Sequence, residues 1–127
     1  MSVQRRLATV VSTALLLGAG VTAVAPTAGA APGVPNISQG SANRAGVLCV
    51  QRGVNDWAQR TGHGRPLAED KLFGKDTRKW VRTFQSASHL QVDGIVGKNT
   101  GNSLLDNLTG DGNFRAACYT YIPSSRH

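Results

Sequence analysis

The sequence predicts an all-α fold: a small three-helix bundle built on an internal loop–helix pseudo-repeat and closed by one disulfide. Three observations lead there. Residues 67–77 (LAEDKLFGKDT) and 90–100 (LQVDGIVGKNT) align at an offset of 23 residues and share Leu, Asp, Gly, Lys and Thr. Val47, Val50, Val54 and Trp57 recur just upstream at the spacing of one helix face. The chain has two cysteines, Cys49 and Cys118, an even count that reads as one bridge in an exported protein.

Taken in order, residues 1–30 read as a secretory signal peptide. Arg5 and Arg6 give a basic start, Leu7 to Val24 are apolar or small, and Ala28-Gly29-Ala30 is a small-residue cleavage site. On this reading no membrane insertion persists after cleavage. Residues 31–46 are rich in Pro, Gly, Ser and Asn without an apolar period, the composition of a flexible lead-in. The first helix is expected over 47–60, with Leu48 and Ala58 widening the stripe and Gly62 as the stop. Gly53 inside it costs up to about 1 kcal/mol against alanine and signals close packing.

After the polar connection TGHGRP (61–66) comes the first copy of the repeated loop, followed by the helical pattern TRKWVRTFQSA (77–87). The second copy leads into TGNSLLDNL (100–108). In each loop the aspartate, Asp70 or Asp93, is suited to accept backbone N–H groups across a tight turn. Gly94, Gly74 and Gly97 are expected to supply positive φ. Leu72-Phe73 and Ile95-Val96 are expected to plug the loops into the core, and Asp76-Thr77 and Asn99-Thr100 to cap the next helix. Residues 47–108 form the domain and 109–127 a tail tied back by the disulfide, which pins Tyr119 and Tyr121 toward the first helix. A bridge closing about 70 residues is worth on the order of 4 kcal/mol in the chain-entropy description.

VQRGVN at 50–55, DKLFGKDT at 70–77, FQ at 84–85 and LQVDGIVGKNT at 90–100 together resemble the peptidoglycan-binding domain of many bacterial cell-wall hydrolases. The resemblance runs from Val47 to Leu108 and rests on the order and spacing of the motifs. It implies a three-helix module that holds an exported protein on peptidoglycan without doing chemistry. Three features depart from the family pattern. Lys71 replaces the glycine of the first DG pair, Gly101 stands where an aromatic residue often opens the last helix, and the 61–66 connection is longer and more polar.

Charge and the missing catalytic patterns narrow the function. Beyond residue 30 the chain carries 12 basic against 7 acidic side chains, a net +5 that favours anionic partners such as wall polymers over nucleic acid. His63, His89 and His127 stand alone, without metal-ligand spacing, and no G-x-S-x-G elbow occurs. Asp70 and Asp93 could pose as the two carboxylates of a glycosidase, but their matched places in a repeat point to equivalent turn roles. The reading is therefore a non-enzyme without metal or cofactor. Ligand contacts are expected from Lys75, Arg78, Arg82, Gln85, Asp93, Lys98 and Asn99, on polar helix faces and loop rims. The expected function is a secreted, non-catalytic protein bound to peptidoglycan or another anionic wall polymer. The rival from another class is a secreted inhibitor or regulator that uses the same scaffold on an extracellular protein partner.

Overall fold

A computed structural model describes residues 33–126. The signal segment expected at 1–30 and His127 lie outside the described residues. Four helices follow in chain order: α1 (Arg44–Arg60), α2 (Lys75–Ala87), α3 (Lys98–Asn107) and α4 (Gly112–Tyr121). α1 is central and packs against each of the other three, and α3 also touches α4. None of the helices among the described residues is long and apolar enough to cross a membrane.

α1 buries the stripe its spacing announced, with Val47, Val50 and Val54 fully buried and Trp57 nearly so. It begins three residues earlier than expected because the Asn43 side chain caps it, accepting the Gly46 N–H at 2.9 Å. Thr61 closes it, and Gly62 takes the left-handed conformation (φ 87°) so that His63 N–H returns to the Ala58 carbonyl at 2.8 Å. Gly53 is explained by packing, since a Cβ there would lie 3.2 Å from the Leu104 side chain of α3. Trp57 meets Phe84 edge-on at 5.4 Å and stacks on His63 at 5.7 Å, and the His63 ring sits against Trp80 at 5.9 Å. The polar 61–66 connection thus earns its histidine as a cover for two tryptophans.

Two segments differ from the sequence expectation. Part of the lead-in, from Val34 on, is built into the fold: Ile37 is fully buried and exchanges both backbone hydrogen bonds with Val96, at 3.0 and 2.8 Å. Three residues later Gly40 N–H donates to the Phe73 carbonyl at 3.0 Å. Phe73 and Val96 are the same position in the two loop copies, so the lead-in crosses both repeats in one pass. The tail also contains a helix, α4, capped by the Asp111 side chain on Asn113 N–H. The Cys49–Cys118 bridge (Cα–Cα 5.7 Å) ties α4 to α1, and Arg52 of α1 lies over the Phe114 ring at 4.4 Å.

α4 also accounts for Gly101. Its continuation brings Ile122 and Pro123 onto α3, where a Cβ on residue 101 would sit 1.7 Å from the Pro123 carbonyl oxygen. An aromatic residue at this position has no room beneath such a tail.

Candidate functional site

The two loop copies are held by one device used twice. Gln51 of α1 is buried, and its Nε2 donates to Asp70 Oδ1 (3.0 Å), the Leu72 carbonyl (3.0 Å) and Thr77 Oγ1 (3.2 Å), while its Oε1 accepts Lys71 N–H (3.0 Å). Gln85 of α2, also fully buried, repeats the set one loop later. Its Nε2 donates to Asp93 Oδ1 (3.0 Å), the Ile95 carbonyl (2.9 Å) and Thr100 Oγ1 (3.1 Å), and its Oε1 accepts Asp93 and Gly94 N–H. In both copies the aspartate closes the turn two residues on, at Leu72 N–H and Ile95 N–H, each 2.9 Å away.

This device corrects several expectations. Gln85 cannot serve as a ligand contact, because every polar end of its side chain is used inside the protein. Thr77 and Thr100 do not cap helices: α2 and α3 start at Lys75 and Lys98 after the uncapped glycines Gly74 and Gly97, and both threonine hydroxyls face the glutamines. Those two glycines have φ of −102° and −97°, so the left-handed position is Gly94 alone in the second copy and Lys71 (φ 66°) in the first. Of each apolar pair only the second member enters the core. Phe73 and Val96 are buried, whereas Leu72 is 56% and Ile95 38% exposed.

The remaining expected contact residues fall into two surface hollows separated by the second loop. The first is a groove of about 520 Å³ along α2, lined by Lys75, Arg78, Lys79, Arg82, Thr83 and Ser86 with Gln39 opposite. The second, about 410 Å³, lies over the start of α3 and includes Asn36, Gln91, Asp93, Ile95, Lys98 and Asn99. The loop between them touches both. Arg82 Nη1 donates to the Val92 carbonyl at 3.2 Å, and Arg78 lies so close over Gly94 that a Cβ there would come within 2.9 Å of it. A third hollow of about 500 Å³ repeats the α3 one at the first loop, with Asp70, Leu72, Lys75 and Asp76 in the matching places. There an acidic Asp76 replaces Asn99, Ala68 replaces Gln91, and no counterpart of Asn36 lines it. The two copies therefore offer different surfaces on the same frame.

The cations of α2 run against helix stability, offset in part by Asp76 in the first turn. Lys75–Lys79 and Arg78–Arg82 are like-charged pairs four apart, each costing an isolated helix about 0.2–0.5 kcal/mol. Lys75 also occupies the first position, at the positive end of the helix dipole, and the last turn has no basic residue. Among the described residues none of the four cations forms an ion pair; the pairs are Arg52–Glu69, Arg65–Asp56, Arg65–Glu69 and Arg126–Asp106.

The carboxylates, by contrast, are mostly engaged in structure. Burial works to raise the pKa of Glu69, yet hydrogen bonds from Asn55, Arg65 and Arg52 outweigh it and hold the group below its ordinary value. Asp70 is held low by Leu72 N–H and the Gln51 amide, and Asp106 by Arg126. Asp56 accepts Arg65 at 2.8 Å and Thr109 N–H at 2.9 Å, which fixes both connections that leave α1 and α3. Asp70 and Asp93 thus carry matching turn-closing bonds. Among the described residues no group of three or more His, Cys, Asp or Glu side chains is arranged to hold a metal ion.

Sequence reasoning missed Gln51 and misplaced Gln85. The available signal was their phase: each lies on the apolar face of its helix, Gln51 beside Val50 and Val54, Gln85 beside Val81 and Phe84. A polar residue in that phase is one the fold must satisfy internally.

Residues 54–104 match the family model described as "Putative peptidoglycan binding domain", a stretch that starts inside α1 and ends inside α3. Neither a curated protein nor a solved structure matches the chain.

Proposed function

We propose, with the peptidoglycan-binding family match over residues 54–104 as premise, that this chain is a secreted, non-catalytic protein that binds bacterial cell-wall peptidoglycan. The observation that carries the reading is that the matched stretch contains both glutamine-docked loops and that the second loop presents free polar groups on a rigid base. Asn36, Gln91 and Asn99 each bring an amide with a donor and an acceptor, the complement of an acetamido group or a peptide bond. Ile95 and Leu90 give an apolar floor for a sugar face, and Lys98 a cation for a stem-peptide carboxylate. Asp93 holds the loop through Gln85 and Ile95 N–H and shapes this hollow. Across the loop, Lys75, Arg78 and Arg82 supply cations for the anionic groups of the wall. The disulfide and the match both fit an extracellular, wall-associated location.

Co-sedimentation with purified insoluble peptidoglycan tests the reading. The wild-type protein is expected in the pellet, saturably, and Gln91→Ala/Asn99→Ala is expected to bind about thirty-fold more weakly with unchanged melting, two lost hydrogen bonds being worth about 1 kcal/mol each. Wild-type protein that stays wholly in the supernatant from low to high salt would exclude the proposal.

A further inference from the structure

We infer that the cationic groove of α2 is a separate binding site for a linear phosphodiester polymer of the wall; the inference rests on the wall-binding reading above and adds a second ligand to it. Lys75, Arg78, Lys79 and Arg82 fall within eight residues, about 10 Å of helix axis, on one face of the helix. Isolated carboxylates on short peptides engage one or two such charges. A chain with a phosphate on every repeat unit can place successive phosphates along the face, each held between neighbouring cations. Arginine matches phosphate in a bidentate geometry, and Thr83, Ser86 and Gln39 add neutral donors for the remaining oxygens. The unpaired like charges along one helix face are the independent sign of a ligand, since they cost the free fold stability and an anion would relieve them.

The lining selects among polyanions. A nucleic-acid strand is held by stacking on aromatic side chains, and no aromatic lines this groove. An anionic membrane calls for apolar side chains inserted among the cations, and every residue that lines the groove carries a polar or charged side chain.

The test compares binding to intact wall and to wall stripped of phosphodiester polymer by acid, with soluble glycerol-phosphate polymer, single-stranded DNA and anionic phospholipid vesicles as competitors. The wild type is expected to bind intact wall about ten-fold more tightly than stripped wall at low salt, the effect of a few exposed ion pairs. Arg78→Ala/Arg82→Ala, which keeps Lys75 and Lys79, is expected to bind stripped wall as the wild type does and to prefer intact wall by only about three-fold. By analogy with single-stranded phosphate chains, the log–log salt slope should be about −3 for four contacts and fall by about half in that variant. Arg44→Ala/Lys71→Gly removes the same charge from exposed sites elsewhere and is expected to bind as wild type.

Equal weakening of the Arg78/Arg82 variant on stripped wall would mean that these cations contact peptidoglycan itself and would overturn the inference while leaving the proposed function. Equal weakening of the Arg44/Lys71 control would reduce the effect to net charge. Stronger displacement by DNA or vesicles than by the glycerol-phosphate polymer would assign the groove to those partners. Wild-type binding to the polymer alone, with none to stripped wall, would keep the inference and remove the peptidoglycan reading.

Discussion

Gln85→Met is the substitution that most sharply separates a structural glutamine from a ligand contact. Methionine nearly matches its volume, so packing changes little. What is lost is the set of five hydrogen bonds from Gln85 to Asp93, Gly94, Ile95 and Thr100. Two of those partners, Gly94 N–H and Thr100 Oγ1, meet Gln85 in fully buried bonds, whereas the others are partly buried and can turn to water. At about 1–3 kcal/mol for each buried group left unpaired, the cost is about 2–6 kcal/mol. A domain this size has a total stability of about 5–15 kcal/mol, and each kcal/mol moves Tm by about 4–8 °C. Thermal unfolding followed by circular dichroism should therefore show a Tm lower by about 10 °C or more, and Gln51→Met should lower it by about half as much, since only its bond to Thr77 is fully buried. A double-mutant cycle with Thr100→Val should show coupling with Gln85, because the two share a bond. A Tm within two degrees of wild type, or additive losses in the cycle, would refute the view that Gln85 holds the loop.

Gly101→Ala is expected to cost more than about 2 kcal/mol or to lift the Ile122–Pro123 segment off α3, because the added methyl would meet backbone 1.7 Å away; chemical denaturation and proteolysis of the tail would report it. Replacing Cys49 and Cys118 by alanine should lower stability by about 4 kcal/mol and speed amide exchange in α4 first, since the bridge spans 69 residues of sequence and joins that helix to α1. Glu69, Asp70 and Asp106 all have folded pKa values below their ordinary ones, so their contribution to stability is present above about pH 4.5 and lost as pH falls through the lowered values. Tm should accordingly stay level from neutral pH to about 5 and fall below about 4, as a pH series of melting curves would show.

The parts of the fold that were legible in the sequence are those written twice or written periodically. The 23-residue offset displayed both loops, and the Val47–Trp57 stripe displayed α1, because burial forces apolar residues onto one face. α4 left a faint trace, since only Cys118 within it is buried and the disulfide does much of the holding that an apolar face would do elsewhere. Ile37 left none, for one apolar residue in a Pro-, Ser- and Asn-rich segment has no period to join; it enters the core by pairing with Val96. The cations of α2 and the Lys98–Asn99 pair were legible as surface groups, but their separation into two hollows depends on where the second loop runs, a matter of tertiary docking through Gln85. Lys71 shows the limit of motif logic. The frame tolerates a lysine at φ 66° in place of glycine because Gln51 and Asp70 hold the turn from both sides.

The most direct test of the account is amide chemical-shift mapping with soluble, phosphate-free peptidoglycan fragments titrated into the labelled protein. The expected result is a saturable set of shifts at Asn36, Gln91, Ile95, Lys98 and Asn99, with the side-chain amides of Asn36, Gln91 and Asn99 among the largest. No shift at millimolar fragment, or shifts confined to α4 and the far side of α1, would contradict the claim that the second loop is the wall-binding surface.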